Sequence, residues 1–392
     1  MKLTDDIERG FLLTPGQAIV LGLLAGSLLA TASASAGDRQ LPAPSVPSTQ
    51  LALASDPAFE EQRPRYPRPH PDQERETGSW SLTLDNDMLV PGSRDQDYTY
   101  GISVAATGTR AREFLLSLDR PLGWIDKALG VAGIGRTSVT GHSFEAGIFG
   151  FTPEQKELSQ PLYDDRPYAS MLYLSSSRVQ VNPADRVAWH STFTVGALGL
   201  DLAGDLQNGV HKVVGSEQAE GWEHQISDGG EPTARYAVAR QKTLPLSTEN
   251  VELKSTLEGS VGYITEARWS LSFRAGKLHT PWWQSTPELA RYGERNNTTA
   301  NTGIREHYLW GGVALVGRAY NAFLQGQFRD SDVSYDSDQV NHGIAEAWLG
   351  YTWAFSDGDR LSYVLRGHTS ELKDGVGDRN VLWGGLVFAK MF

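Results

Sequence analysis

The chain has 392 residues, a formal net charge of −12 and a mean hydropathy of −0.36. That charge argues against a nucleic-acid partner, which calls for a basic stripe, and suits a surface that meets divalent cations. Zero cysteines exclude disulfides, thiolate metal sites and a cysteine nucleophile.

Residues 17–36 read QAIVLGLLAGSLLATASASA, an apolar run ending in the small-x-small sequence Ala34-Ser35-Ala36. This predicts a secretory signal over 1–36, cleaved after Ala36. Lys2 and Arg9 are offset by Asp5, Asp6 and Glu8, so an uncleaved anchor is the alternative. Residues 37–77 are rich in Pro, Ser, Gln and charge, too polar to bury a core, and are expected to form a disordered periplasmic tether. Beyond the signal, no apolar run approaches the ~20 residues of a spanning helix, which excludes a helical membrane protein.

From Trp80 the hydrophobic period is two, in segments separated by Gly, Asp, Asn and Pro. The 41 Gly, 11 Trp, 14 Tyr and 13 Phe suit the rim turns and aromatic girdles of a transmembrane barrel, although a soluble sandwich uses the same residues. Strands are expected near 79–86, 98–107, 140–150, 167–180, 188–199, 234–245, 249–262, 267–278, 305–327, 343–355, 360–370 and 380–392. The piece 305–327 reads as one long strand or two. An even number suits a closed bacterial barrel, so the expected fold is all-β: an antiparallel outer-membrane barrel of twelve strands over 78–392, with a short helix at its outer rim. The closing LWGGLVFAKMF ends on Phe392, similar to the signal that such barrels present to their assembly machinery.

With both termini periplasmic, strand parity puts the short turns 181–187, 246–248 and 356–359 on the inner side, as outer-membrane barrels have them. Two inner connections, 108–139 and 279–304, are long and break the pattern. The first contains RAREFLLSL and GWIDKALGV, which read as short helices. Parity places 87–97, 151–166 and 200–233 at the outer rim.

The densest polar constellation lies at that rim. Strand one ends in Asp85-Asn86-Asp87 and strand two begins Asp97-Tyr98-Thr99, which brings Asn86, Asp87 and Thr99 together across a hairpin. Carboxylate, amide and hydroxyl oxygens suit a hard cation such as Ca²⁺; Asp and Asn also simply end strands. In 200–217, Leu202, Leu206, Val210, Val213 and Val214 recur at helical spacing. Gln207 and His211 are four apart on one helix face, with Glu217 beyond. A neutral His is a competent general base near neutral pH, and an exposed loop His without a task is the plain alternative. Gly204 and Gly209 weaken the helix and suggest close packing on the wall.

Other motifs carry less. Gly141-His142-Ser143-Phe144-Glu145 begins like a nucleophile elbow but ends in Glu and lacks the strand-to-helix turn. His368 and Ser370 share a strand face, as a serine-based barrel phospholipase would place them.

Taken in this order, Asn86-Asp87, Asp97-Tyr98-Thr99, Asp165-Arg166-Pro167-Tyr168-Ala169, Gln207, His211, Gly215, Glu217 and Gly221-Trp222 resemble the outer-membrane lipid A 3′-O-deacylases over essentially all of 78–392. The resemblance implies a twelve-stranded barrel with a calcium-dependent esterase site facing lipid A in the outer leaflet. His211 would match the general base; Asn86, Asp87 and Thr99 the polar and metal-site residues; Gln207 and Glu217 supporting positions. The chain departs from that pattern after Lys156, where LSQPLYDD replaces basic residues, and in the 108–139 insertion and the tether. A serine phospholipase, a non-catalytic porin or adhesin, and a barrel of this family without activity are the other readings.

Overall fold

The structure is a computed structural model that describes residues 74, 78–91, 96–131, 139–182, 184–214, 218–295 and 303–391. The expected signal sequence, and the tether apart from Glu74, lie outside the described residues. Among those residues, twelve antiparallel strands close into a barrel in which β1 pairs with β12.

In chain order the elements are β1 (Ser79–Asn86), β2 (Asp97–Thr107), α1 (Asp119–Ala128), β3 (Val139–Thr152), β4 (Ala169–Asn182), β5 (Val187–Leu198), α2 (Leu202–Val214) and β6 (Glu231–Thr243). They continue through β7 (Val251–Gly262), β8 (Ile264–Lys277), β9 (Glu306–Asn321), α3 (Ala322–Gln325), β10 (Gly343–Ala354), β11 (Asp359–His368) and β12 (Val381–Met391). The stretch 305–327 is thus one strand followed by a helical turn capped by Asn321. No helix among the described residues is long and apolar enough to cross a membrane.

Alternation sorts each strand into two faces. On β9, Tyr308, Trp310, Ala314, Val316 and Arg318 are buried in the lumen, while Leu309, Val313 and Leu315 are exposed outward, as a lipid-facing wall requires. Aromatic side chains fill the outer half of the lumen: Tyr98, Phe149, Phe151, Tyr292, Phe323 and Trp383 form one cluster.

The two long inner connections take opposite sides of this wall. The connection after β8 turns inward. Its Arg291 donates to Glu266 at 2.8 Å and Glu258 at 2.5 Å, and its Glu294 accepts from Arg235 at 2.6 Å. Its Tyr292 stands among Tyr98, Phe151 and Trp383, so the described part of the segment, up to Arg295, is an internal plug. The connection after β2 lies outside: Asp119 and Asp126 of α1 bond to Arg178, Ser191 and Tyr236, whose strand positions face away from the lumen. RAREFLLSL was expected to be helical, yet only a 3-10 turn, Thr109–Glu113, forms there. The chain then turns again, the Ser117 N–H donating to the Phe114 carbonyl at 2.9 Å, and Ser117 and Leu118 bond to the Ser176 hydroxyl on the wall.

Candidate functional site at the outer rim

Asn86 ends β1 and caps the 3-10 turn Asp87–Leu89: its Oδ1 accepts from the Met88 N–H at 2.7 Å. Its Nδ2 donates to the Thr99 carbonyl at 2.6 Å, so the strand end and the hairpin partner are joined as the sequence predicts. Asp87 is fully buried and its carboxylate accepts from the Gln96 N–H across the same hairpin. Thr99 is buried, and its hydroxyl shares a hydrogen with that of Thr152 at 2.6 Å.

Thr99 sits in an irregularity of β2: Tyr98 pairs with Phe151 and Tyr100 with Gly150, which leaves Thr99 as the extra residue of a bulge. The bulge re-aims Tyr100 outward. There it packs with Tyr168, Ala203, Ala219 and Trp222, and its hydroxyl donates to the Ala203 carbonyl at 3.3 Å. The α2 helix is therefore seated on the outer side of the wall, beside the end of β2 that carries Thr99.

The helix spans the predicted residues, and its inward row is Ala203 and Gln207, both buried. Gln207 accepts from the Trp222 indole N–H at 2.9 Å; its Nε2 is buried without a hydrogen-bond partner among the described residues. His211 continues this row one turn on and is placed by its backbone alone. Glu217 lies outside the described residues. Asn208 clamps the following loop by exchanging two bonds of 2.9 Å with Ala219. Gly204 does pack closely, but on the Trp222 ring rather than on the wall, and a Cβ at Gly209 would meet open space.

Two supports were not singled out from sequence. Thr152 ends β3 with nothing to mark it beyond a hydroxyl, and Lys156 acts through its carbonyl, which accepts from the Tyr168 hydroxyl at 2.8 Å and the Glu220 N–H at 2.9 Å. Burial pushes the Tyr168 phenol well above its ordinary pKa, so it stays a neutral donor.

The rim oxygens fit a calcium ion in kind: Asp87 carboxylate, Asn86 amide and Thr99 oxygens are all hard donors. They bring one formal charge, and no group of three or more His, Asp or Glu side chains converges among the described residues. The serine alternative finds no dyad among the described residues: Ser370 donates to the Leu372 carbonyl at 2.8 Å, and His368 Nδ1 is bonded to the Thr369 carbonyl at 2.8 Å.

A closed twelve-stranded barrel with an apolar outward face and a helix seated on the outward side of its rim defines an outer-membrane β-barrel protein. Residues 46–392 match the family described as outer membrane protein LpxR, and the chain belongs to that family. No curated protein matches it. Among solved structures, LpxR from Salmonella typhimurium shares the fold at 16% identity and a TM-score of 0.61, covering 80% of this chain and 100% of that one. The β domain of the Bordetella autotransporter BrkA covers 81% of this chain and 100% of its own at 9% identity, with a TM-score of 0.38.

Proposed function

We propose that this outer-membrane protein is a lipid A deacylase, which hydrolyses an acyl ester of lipopolysaccharide, the 3′-O-linked acyloxyacyl group, in the outer leaflet. The observation that carries the reading is the seat of α2. The helix is seated outside the wall by Tyr100, the chain neighbour of Thr99, and in this reading its Gln207–His211 row turns toward the Asn86, Asp87 and Thr99 oxygens, where an ester can react without leaving the membrane.

In this mechanism His211 takes a proton from water, and the water oxygen bonds to the ester carbonyl carbon. When the acyl carbon–oxygen bond breaks, His211 returns the proton to the leaving oxygen, yielding a free fatty acid and a hydroxyl group. Gln207, held by Trp222, and Glu217 are the supporting positions that the resemblance implies for His211. Asp87, with Asn86 and Thr99, would hold a calcium ion, whose contribution is Lewis-acid stabilisation of the carbonyl oxygen's charge.

Mass spectrometry of lipid A from cells with and without the protein tests the reaction: the expected product lacks one acyloxyacyl group, and unchanged lipid A refutes it. Turnover by the purified barrel should be lost in EGTA and return with Ca²⁺; indifference to chelation removes Asn86, Asp87 and Thr99 from a metal role.

A further inference from the structure

The helix α1 lies on a surface that a barrel normally gives to lipid. Arg178 shares its strand face with the outward Leu172 and Leu174, and Ser191 shares its own with Trp189 and Phe193. Such polar positions on a lipid-facing wall are costly unless covered. Asp119 covers Arg178 with bonds of 2.6 and 2.7 Å, and Asp126 takes the Ser191 and Tyr236 hydroxyls at 2.8 and 2.9 Å. Gly123 permits the approach, since a Cβ there would lie 2.7 Å from the Arg178 guanidinium.

The depth of this seat follows from register. Trp189 pairs with Gln180 and Arg240, a polar and aromatic rung like those at membrane interfaces. Ser191 is two residues above that rung and Tyr236 four above Arg240, which places α1 roughly 5–10 Å toward the bilayer centre for tilted strands. That is the depth at which amphipathic interfacial helices lie.

The other face of the segment is apolar and open. Leu115 is 99% exposed and Trp124 74%, with Phe114, Leu116 and Leu129 also exposed. This surface is continuous with the lipid-facing wall, because the Phe114 ring meets that of Phe144 on β3 edge-on at 5.5 Å. The exposed charges of the segment are Arg110, Arg112, Arg120 and Lys127 against Glu113, in a chain whose net charge is −12.

We infer that residues 109–131 form a lipid anchor in the periplasmic leaflet, which binds anionic glycerophospholipid. Leu115, Leu116, Trp124 and Leu129 enter the acyl region while Arg120 and Lys127 meet headgroup phosphates. The inference rests on the outer-membrane barrel and is independent of the deacylase reading.

The cysteine-free chain permits a direct test by single-cysteine variants, Leu115→Cys and Trp124→Cys, carrying the fluorophore NBD. Phe328→Cys, on the exposed outer loop, is the reference. In phosphatidylcholine vesicles containing phosphatidylglycerol, doxyl-acyl lipid should quench positions 115 and 124 and spare position 328. Doxyl-phosphatidylglycerol should quench position 124 more than doxyl-phosphatidylcholine, and Arg120→Gln with Lys127→Gln should abolish the difference. Heat-modified gel mobility confirms that each barrel is intact. Labels at 115 and 124 that no doxyl lipid quenches overturn the anchor, whether they are open to water or report a second copy by energy transfer between labels. Equal quenching by both lipids in the parent protein overturns the anionic preference.

Discussion

Tyr98 and Tyr100 lie two residues apart on β2 and face opposite sides of the barrel wall. Tyr98 donates to Asp85 at 3.1 Å and packs against Trp383 in the lumen; Tyr100 holds the first turn of α2 outside. The bulge at Thr99 makes this possible, and it couples the aromatic filling of the lumen to the seat of the rim helix within one stretch of strand.

The first prediction concerns that seat. Trp222→Phe removes the donor to Gln207 Oε1 and leaves a buried acceptor unmet, a cost of about 1–3 kcal/mol. The cost falls on α2, so its amide hydrogen exchange should quicken while the barrel's heat-modified mobility is unchanged. Adding Gln207→Leu should restore slow exchange without restoring turnover. Unaltered exchange in Trp222→Phe would show that this bond does not hold the helix.

A second prediction separates the two chemistries. His211→Ala should lower turnover by roughly 10²–10⁴ if His211 is the general base. Ser370→Ala loses only turn bonds to Leu372 and should leave turnover nearly unchanged. Deacylation by purified variants in detergent with Ca²⁺ reads both. A folded His211→Ala protein of full activity refutes the mechanism, and loss in Ser370→Ala alone favours a serine nucleophile.

Much of this fold was legible because lipid and lumen impose opposite demands on neighbouring residues, and that writes period two into strands such as Tyr308–Arg318. The α2 helix was equally plain, from its leucines and valines at helical spacing. The bulge was not: Asp97-Tyr98-Thr99-Tyr100 reads as regular alternation, and only the pairing with Phe151 and Gly150 reveals the extra residue. Nor was the outward seat of α1, although β4 carries Ser175-Ser176-Ser177-Arg178, polar on both faces, where a bare lipid-facing wall would alternate. Of the site, the Asn86–Thr99 contact followed from the hairpin, whereas the Gln207–Trp222 bond depends on a loop whose path sequence does not encode locally.

The third prediction is one of pH. His224 bonds to Asp332 at 2.5 Å and to the Ser159 carbonyl at 3.0 Å, with Glu223 at 3.5 Å, joining three outer-rim segments. Burial lowers its pKa, but the bonds to Asp332 and Ser159 outweigh that and raise it. A raised folded value means that the contact stabilises fully below the unfolded value of about 6.5 and fades as pH rises through the folded one. Histidine chemical shifts in micelles should therefore give His224 a pKa above the ordinary range, and Asp332→Asn should bring it down. A His224 that titrates alike in both proteins would remove the ion pair from the rim's pH response.

The last prediction tests the plug. Arg291 is buried between Glu258 and Glu266, and Glu266 is also held by Arg318 at 2.7 Å. Arg291→Met leaves Glu258 buried without its cation, and breaking a buried pair from one side costs roughly 3–5 kcal/mol. The variant should unfold at clearly lower urea, read by the loss of heat-modified mobility. Adding Glu258→Leu removes the stranded charge and should recover most of that loss, because desolvating an ion pair consumes much of what its attraction returns. If the double variant is no more stable than Arg291→Met, the plug is held by the guanidinium's bonds to the Glu288 and Ala290 carbonyls instead. Those bonds shape the turn before Tyr292, so in that case the aromatic cluster should loosen as well, with faster exchange at the outer ends of β2 and β12.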